Sequence, residues 1–477
     1  MVARRLRANW PFCPGTSGQT RGKTIVPGEA EMFPQEGSAS AALYAEASRV
    51  MPGGCSRQAL YATRSYADQG EGSRIRDLDG KWHLDALNNF TVLVHGHRHE
   101  ATTKAVAEQL KKGVSFGLAT RSEVQLARHL VDRVPGMEQV IFCSSGSEAV
   151  MHAMKAARAL TKRPRIVKCE GLYHGSYDFA EVSNTPRIRP GAQGIPVPEG
   201  YGPYTSPSIV NDVIVIPFDN CEIAELVIRE HATEIAGIIL DLVPSRIGYR
   251  KADPAFVRLL RRLADEYGIV LIFDEVASFR VAPGGAQSLY DVVPDLSTFG
   301  KIIGGGLPIG GVGGTAEAMR IFDPSQASHL AFTGTYNANP LSMVAGLACL
   351  EALVPEAIDR LNGHGDTLRT ALRDGISKAG YPVDIHGTGS FVAIFFSRRN
   401  RHDYHSAAHR PAEAPLVRKL CAAATDRGLL IDAPARLNLS TAFSAADVEQ
   451  AAEILLASID EALAGVDVAA LAAGDAQ

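Results

Sequence analysis

The sequence predicts an α/β fold: a large domain around a seven-stranded, mostly parallel sheet, and a smaller α+β domain built from the N- and C-terminal segments. Three observations lead there. Between residues 139 and 314, seven strand-like stretches alternate with helix-like ones, which is the pattern of βαβ units. Those strands are largely apolar in content, as expected when helices cover both faces of a sheet. One of them, Ile269–Phe273, runs directly into Asp274. That puts a carboxylate at the C-terminal end of a strand, where open α/β sheets bind their ligands.

Taken in order, residues 1–36 stand apart as an N-terminal extension. Arg4, Arg5, Arg7, Arg21 and Lys23 precede any acidic residue, and there is no apolar core of a secretory signal. An Arg-rich, acid-poor start resembles a transit peptide, but Pro11, Pro14 and Gly15 interrupt any long amphipathic helix. Residues 37–96 are expected to pack with the small domain. They begin with an Ala-rich helix over 38–50, closed by Pro52-Gly53-Gly54, and continue with a hairpin over 72–87 turning at Asp79-Gly80. Residues 97–354 make the large domain. Its helices fall near 100–112, 122–134, 147–161, 220–232, 254–267 and 337–354. Its strands fall near 139–144, 165–170, 213–218, 236–243, 269–275, 296–300 and 309–314. Residues 355–467 read as the C-terminal small domain. It has a His/Arg-rich solvated loop from Arg398 to Arg410 and a final Ala-rich helix over 445–464, and 468–477 is a tail.

The bulk numbers agree. A chain of 477 residues exceeds one compact core, and 46% apolar with 21% charged residues excludes a disordered chain. A net charge of −4 argues against a nucleic-acid binder or a polybasic membrane anchor. No apolar run approaches the roughly 18 residues that cross a bilayer. The seven cysteines are odd in number, scattered and free of CxxC pairs. They fit reduced thiols in a cytoplasmic protein better than disulfides or a zinc site.

Four places carry candidate chemistry. Lys301, in Thr298-Phe-Gly-Lys301-Ile-Ile-Gly-Gly-Gly306, sits between an apolar strand and a run of glycines. Taken alone a lysine is a surface charge, but this setting desolvates an ammonium and lowers its pKa, as a Schiff-base lysine requires. The glycines over 304–314 let backbone approach a ligand, yet form neither a P-loop nor a dinucleotide fingerprint. Asp274 is either a capping or ion-paired acid or the partner of a cationic ring nitrogen. Ser145-Gly146-Ser147 opens a helix after the strand ending at Cys143; it is either a cap or a phosphate site. Tyr173, in Gly171-Leu-Tyr173-His174-Gly175, either stacks on a planar cofactor or packs in the fold.

Together these residues resemble the class III aminotransferases, pyridoxal-phosphate (PLP) enzymes of fold type I. The group includes glutamate-1-semialdehyde aminomutase and the β-amino-acid aminotransferases. The resemblance runs from about Met51 to Phe443 and is strongest in FDEV (273–276), PDLSTFGKIIGGGLPIGGVGG (294–314) and TGTYNANP (333–340). It implies that Lys301 forms the Schiff base with PLP and that Asp274 holds the pyridine nitrogen protonated. Val276 and Tyr173 would pack on the two ring faces. Ser145, Gly146 and Ser147 would hold the phosphate, completed by Thr335 of a neighbouring subunit, which implies a homodimer. Asp241 stands where the family usually has Glu followed by Pro, which leaves its role open. Arg57 and Arg436 match carboxylate-binding positions of the β-amino-acid enzymes, Arg436 on a C-terminal loop, and Phe90 matches a pocket wall.

The resemblance therefore implies an amino-acid donor and a keto-acid acceptor, served by Lys301 as proton carrier. The rivals are an intramolecular aminomutase and an altered, non-catalytic protein on the same fold. Aminomutases of the family share Met51-Pro-Gly-Gly54 and Ser115-Phe-Gly117 with this chain. They also carry an acid after the Ala-Pro that here reads Ala433-Pro-Ala-Arg436-Leu-Asn438. Two histidine groups have the spacing of metal sites: His95, His97 and His99 in strand-like alternation, and His405 with His409 at helical spacing. Neither is assigned a metal. The family carries Gly-His-x-His at the first place without one, and four arginines crowd the second.

Overall fold

The computed structural model describes residues 34–57, 65–186, 194–432 and 434–473. Near the N-terminus, helix Ala39–Val50 is capped by Ser38, whose side chain accepts from the Ala41 amide. Strands β1 (Ala67–Glu71), β2 (Arg74–Asp77) and β3 (Trp82–Asp85) follow. β2 and β3 form the antiparallel hairpin expected around Asp79-Gly80, and β1 adds to it an outer strand not anticipated from the polar sequence ADQGE.

The central sheet uses β4 (Gln139–Cys143), β5 (Arg165–Cys169), β6 (Val213–Ile216), β7 (Ile235–Leu240), β8 (Val270–Asp274), β9 (Leu296–Gly300) and β10 (Gly310–Gly314). All seven strands lie within one to three residues of their expected places, in the order β4-β10-β9-β8-β7-β5-β6. Only β10 runs antiparallel, to both of its neighbours. The C-terminal ends of β4, β5, β7, β8 and β9 therefore share one edge of the sheet. Five loops start there, and they carry the candidate site.

β10 is almost all glycine, and the structure gives the reason. A Cβ on Gly310 would come 2.0 Å from the carbonyl oxygen of Ser145, and one on Gly305 would come 2.3 Å from that of Ala345. These glycines admit neighbouring protein backbone, a different use from the ligand approach expected of them. Glycine at β10 thus lets this strand press against the turn that opens helix Gly146–Thr161.

Three further strands, β11 (Asp384–His386), β12 (Phe391–Phe395) and β14 (Arg436–Asn438), form an antiparallel sheet, while β13 (Leu429–Leu430) pairs with β3. One apolar cluster runs from Leu84 and Leu126 through Phe299 to Leu437 and Leu455, so the two ends of the chain share a core with the central sheet. The stretch Arg398–Arg410 is not a solvated loop. Arg401 is buried, lies 4.1 Å over the Phe395 ring and donates to the Ser397 and Arg399 carbonyls. Among the described residues no single helix is long and apolar enough to cross a membrane. The six described cysteines are all free, and Cys13 lies outside the described residues.

Candidate active site

Lys301 follows β9 at once and begins a short 3-10 turn, Lys301–Gly304. Its φ is +50°, a left-handed conformation that costs a non-glycine residue of order 1–2 kcal/mol and fixes where the side chain starts. Ile302 and Ile303 beside it are buried. Burial lowers the pKa of the ammonium, opposed by the charges of Asp274 and Asp241. Among the described residues nothing hydrogen-bonds its Nζ, so the amine is desolvated, flanked by carboxylates and uncommitted.

Asp274 ends β8. Oδ1 accepts from the Thr298 hydroxyl at 3.0 Å and the Val276 amide at 3.1 Å, and Oδ2 lies 2.7 Å from Nδ1 of His174. His174 is buried, burial lowers its pKa, and its Nε2 is left without a partner. A neutral imidazole donating through Nδ1 leaves Asp274 as the charged member of the pair. This histidine lies in the sequence motif Tyr173-His174-Gly175, beside the tyrosine expected to stack, and its pairing with Asp274 leaves no local sequence signal. Tyr173 itself is half exposed, so its ring is free to stack.

Two more acids lie nearby. Asp241, just past β7, has its pKa pushed up to about 8 by burial and by the charge of Asp274. Glu275 is pushed up to about 7 by burial, although Ser278 and the Ala286 and Gln287 amides bond to it.

The helix Gly146–Thr161 starts at the same edge. Ser145 is its N-cap and accepts from the Glu148 amide at 3.2 Å, while Glu148 accepts from the Ser144 amide at 2.6 Å. The capping reading is therefore realised for Ser145. Ser147 Oγ accepts from the Ser176 amide at 3.1 Å, which leaves its own proton to donate. Val276 packs under this turn, where a Cβ on Gly146 would come 2.9 Å from its Cγ1.

The expected substrate residues divide. Asn88, Asn89, Phe90 and Thr91 all have positive φ and make a left-handed turn. It is held by Asp85, which accepts from the Leu87 and Asn88 amides, and by the buried Arg280, which donates to the Thr91 carbonyl and to Asn438. Phe90 is half buried on this turn. Arg57 is exposed and donates to Asn89 Oδ1 at 2.6 Å, so the fold brings Arg57 and the Phe90 turn together. Arg436 is not on a loop: it opens β14, paired with Asp432 at 2.6 Å and donating to Ser245 Oγ at 3.0 Å. Thr335 is exposed, and the following helix is capped by Asn339 instead.

The histidines have individual partners. His95 bonds Thr441 and the Cys349 carbonyl, His97 bonds Asp85, and His99 bonds Thr102; the three lie in a turn, and no strand holds them. His405 pairs with Glu170 and His409 with Glu413. Among the described residues no three His, Cys, Asp or Glu side chains gather to hold a metal.

Comparison with known proteins decides the family. The sequence model described as Aminotransferase class-III matches residues 58–459. The chain belongs to the class III aminotransferases. A glutamate-1-semialdehyde 2,1-aminomutase of Methanosphaera stadtmanae is 36% identical over 76% of this chain and 85% of its own length. An omega-transaminase from Sphaerobacter thermophilus is 42% identical, with a TM-score of 0.88 over 90% of this chain and 98% of that one. A β-phenylalanine aminotransferase from Variovorax paradoxus is 30% identical, with a TM-score of 0.80 over 90% and 95%. As a class III aminotransferase this is a PLP-dependent enzyme, and the residues present suit that cofactor. An uncommitted, half-buried amine, a strand-end carboxylate, a helix start with a free hydroxyl proton and an exposed ring lie at one edge of the sheet.

Proposed function

We propose that this class III aminotransferase carries an amino group from an amino acid, with a β-amino acid favoured, to a separate keto acid. The observation that carries the reading is Lys301: a desolvated amine at the C-terminal sheet edge, between Asp274 and Asp241 and bound to neither. When bound, PLP supplies an electron sink for the bond broken at the donor's amine-bearing carbon. The rest falls to the chain's own residues. Lys301 Nζ holds PLP, then takes the proton from that carbon and returns one to the product. Asp274, positioned by Thr298, Val276 and His174, would be the residue that pairs with the ring nitrogen. Ser145, Gly146 and Ser147 hold the phosphate at the helix start, and Tyr173 and Val276 flank the ring. Arg57 holds the donor's carboxylate and Phe90 gives the apolar wall.

The second reading, an aminomutase, has support in the relatives named for that activity. Asn438 favours transamination. The aminomutases carry an acid after this Ala-Pro, where the chain has Arg436 and Asn438 instead, and Asn438 is a buried amide bridging the Leu87 carbonyl and Arg280. Turnover should therefore require an added acceptor such as 2-oxoglutarate or pyruvate. Steady conversion of glutamate 1-semialdehyde with no acceptor present would decide for the aminomutase.

The functional unit is read as a homodimer sharing its sites. Thr335 lines a hollow of about 380 Å³ with Phe116, Leu118 and Tyr336. Leu118 is 82% and Tyr336 66% exposed, a surface suited to a second copy. If Thr335 completes the partner's phosphate site, cofactor retention and association are linked by mass action. Thr335→Ala should then lose PLP on dilution several-fold more readily than wild type, followed by absorbance and sedimentation. A fully active monomer that keeps its PLP would overturn this.

A further inference from the structure

Tyr173, the ring expected to stack on the cofactor, stands on a loop that starts where β5 ends. The loop is held at four places along the chain. Glu170 is buried, and its Oε2 lies 2.7 Å from Nε2 of His405. The Gly171 amide donates to the Ser183 carbonyl at 2.7 Å. His174 bonds Asp274, and the Ser176 amide donates to Ser147 Oγ. Ser183, Asp274 and Ser147 all belong to the large domain that carries the site. His405 comes from far along the chain, in the short helix Tyr404–Ala407 that follows β12.

Local bonds fix that helix against the loop. Asp403 and Ser406 form a capping box at its start, and Arg250 of the large domain donates to the Arg401 carbonyl at 2.9 Å. Tyr404, beside His405, is seated on Gly171: a Cβ there would come 1.9 Å from Tyr404 Cδ2. Gly171 and Gly175, on either side of Tyr173, have φ of +73° and +88°. Glycine adopts many backbone conformations, so side-chain anchors must decide where Tyr173 stands. Burial pushes the Glu170 carboxyl up in pKa, and the charge and hydrogen bond of His405 oppose it. Without His405 this buried carboxylate would lose its counter-charge, and the loop would have reason to move to water.

We infer that His405 is a positioning residue for the reaction: through Glu170, and with Tyr404 seated on Gly171, it holds the loop that presents Tyr173 to the cofactor ring. The C-terminal part of the chain thereby sets how firmly the ring is seated in the large domain. This rests on the proposed function, in which Tyr173 flanks the ring.

The test uses the PLP-loaded enzyme and two readouts: kcat, and the visible circular dichroism of the bound cofactor per unit absorbance, which reports how the ring is held. The His405 side chain is 27% exposed, so His405→Ala should fold. It should lower kcat roughly 10- to 100-fold, the scale of a small displacement of a group that orients the reactants, and change the dichroism. His405→Gln, which can donate to Glu170 from nearly the position of Nε2, should recover most of both. Glu170→Gln keeps the buried shape but weakens the pair, and should move both readouts the same way by less. In a Tyr173→Ala background, His405→Ala should cost little more, because the group it positions is already gone. Wild-type kcat and dichroism in both His405→Ala and Glu170→Gln would overturn the inference and leave the proposed function standing. An equal loss from His405→Ala with and without Tyr173 would do the same, since a purely structural role predicts it. If Tyr173→Ala by itself matches wild type, the stacking role of Tyr173 fails and the inference falls with it.

Discussion

Lys301→Ala should abolish covalent attachment of PLP and lower turnover by about 10²–10⁴-fold or more, the usual worth of a positioned proton carrier. Borohydride reduction of wild type should fix the cofactor to the peptide containing Lys301, identified by mass spectrometry. The same treatment of the variant should leave PLP free after denaturation. Another lysine competes for this role on burial alone. Lys168 is fully buried in β5, and burial drops its pKa to about 7. Geometry removes it: its Nζ donates to the Ala180 carbonyl at 2.6 Å and the Val182 carbonyl at 2.7 Å, so it is a strut for the loop that follows Tyr173. Lys301 is half-buried, lowered in pKa and uncommitted, whereas Lys168 is fully buried and saturated. Reductive label on Lys168, or full turnover by Lys301→Ala, would remove the basis of the assignment.

The central sheet was legible because its signals are local. Apolar runs such as Ile235–Leu240 and Ile269–Phe273 mark strands buried on both faces, and Ser145 marks a helix start where the structure has one. Asp274 and Lys301 were legible for the same reason, each standing at the end of an apolar strand. What the sequence concealed depends on contacts far along the chain. His174 matters because Asp274, 100 residues later, comes within 2.7 Å of its ring. Arg280 holds the Asn88–Thr91 turn from 189 residues away, and no spacing announces that partnership. The polar strand β1 lacks the alternation that marks a strand and forms because the β2–β3 hairpin offers it an edge. Arg398–Arg410 looked solvated because arginines and histidines are usually exposed. Here Phe395 and Glu413 give them an apolar face and a counter-charge.

Asp274→Asn should lower kcat/KM by roughly 10²–10³-fold at saturating PLP, the scale set by removing one preorganised electrostatic partner of the reacting group. The amide has nearly the shape of the carboxylate, so the bonds from Thr298 and the Val276 amide can persist and the fold should survive. What is lost is the charge. Neither neighbouring acid can replace it. The pKa of Asp241 is pushed up to about 8, so Asp241 is mostly protonated at neutral pH. Glu275 is consumed by Ser278 and two backbone amides. His174 gives an independent readout. If it positions Asp274 through Nδ1, His174→Phe should lower kcat less than Asp274→Asn does, and combining the two should cost less than the separate losses added. Asn in place of Asp also withdraws the like charge that raises the pKa of Asp241. The variant should therefore show Asp241 titrating at lower pH, visible as a shifted basic limb in the pH profile of its residual activity. Turnover within threefold of wild type in Asp274→Asn would mean that the ring nitrogen finds its counter-charge elsewhere, and the site would have to be rebuilt around another acid.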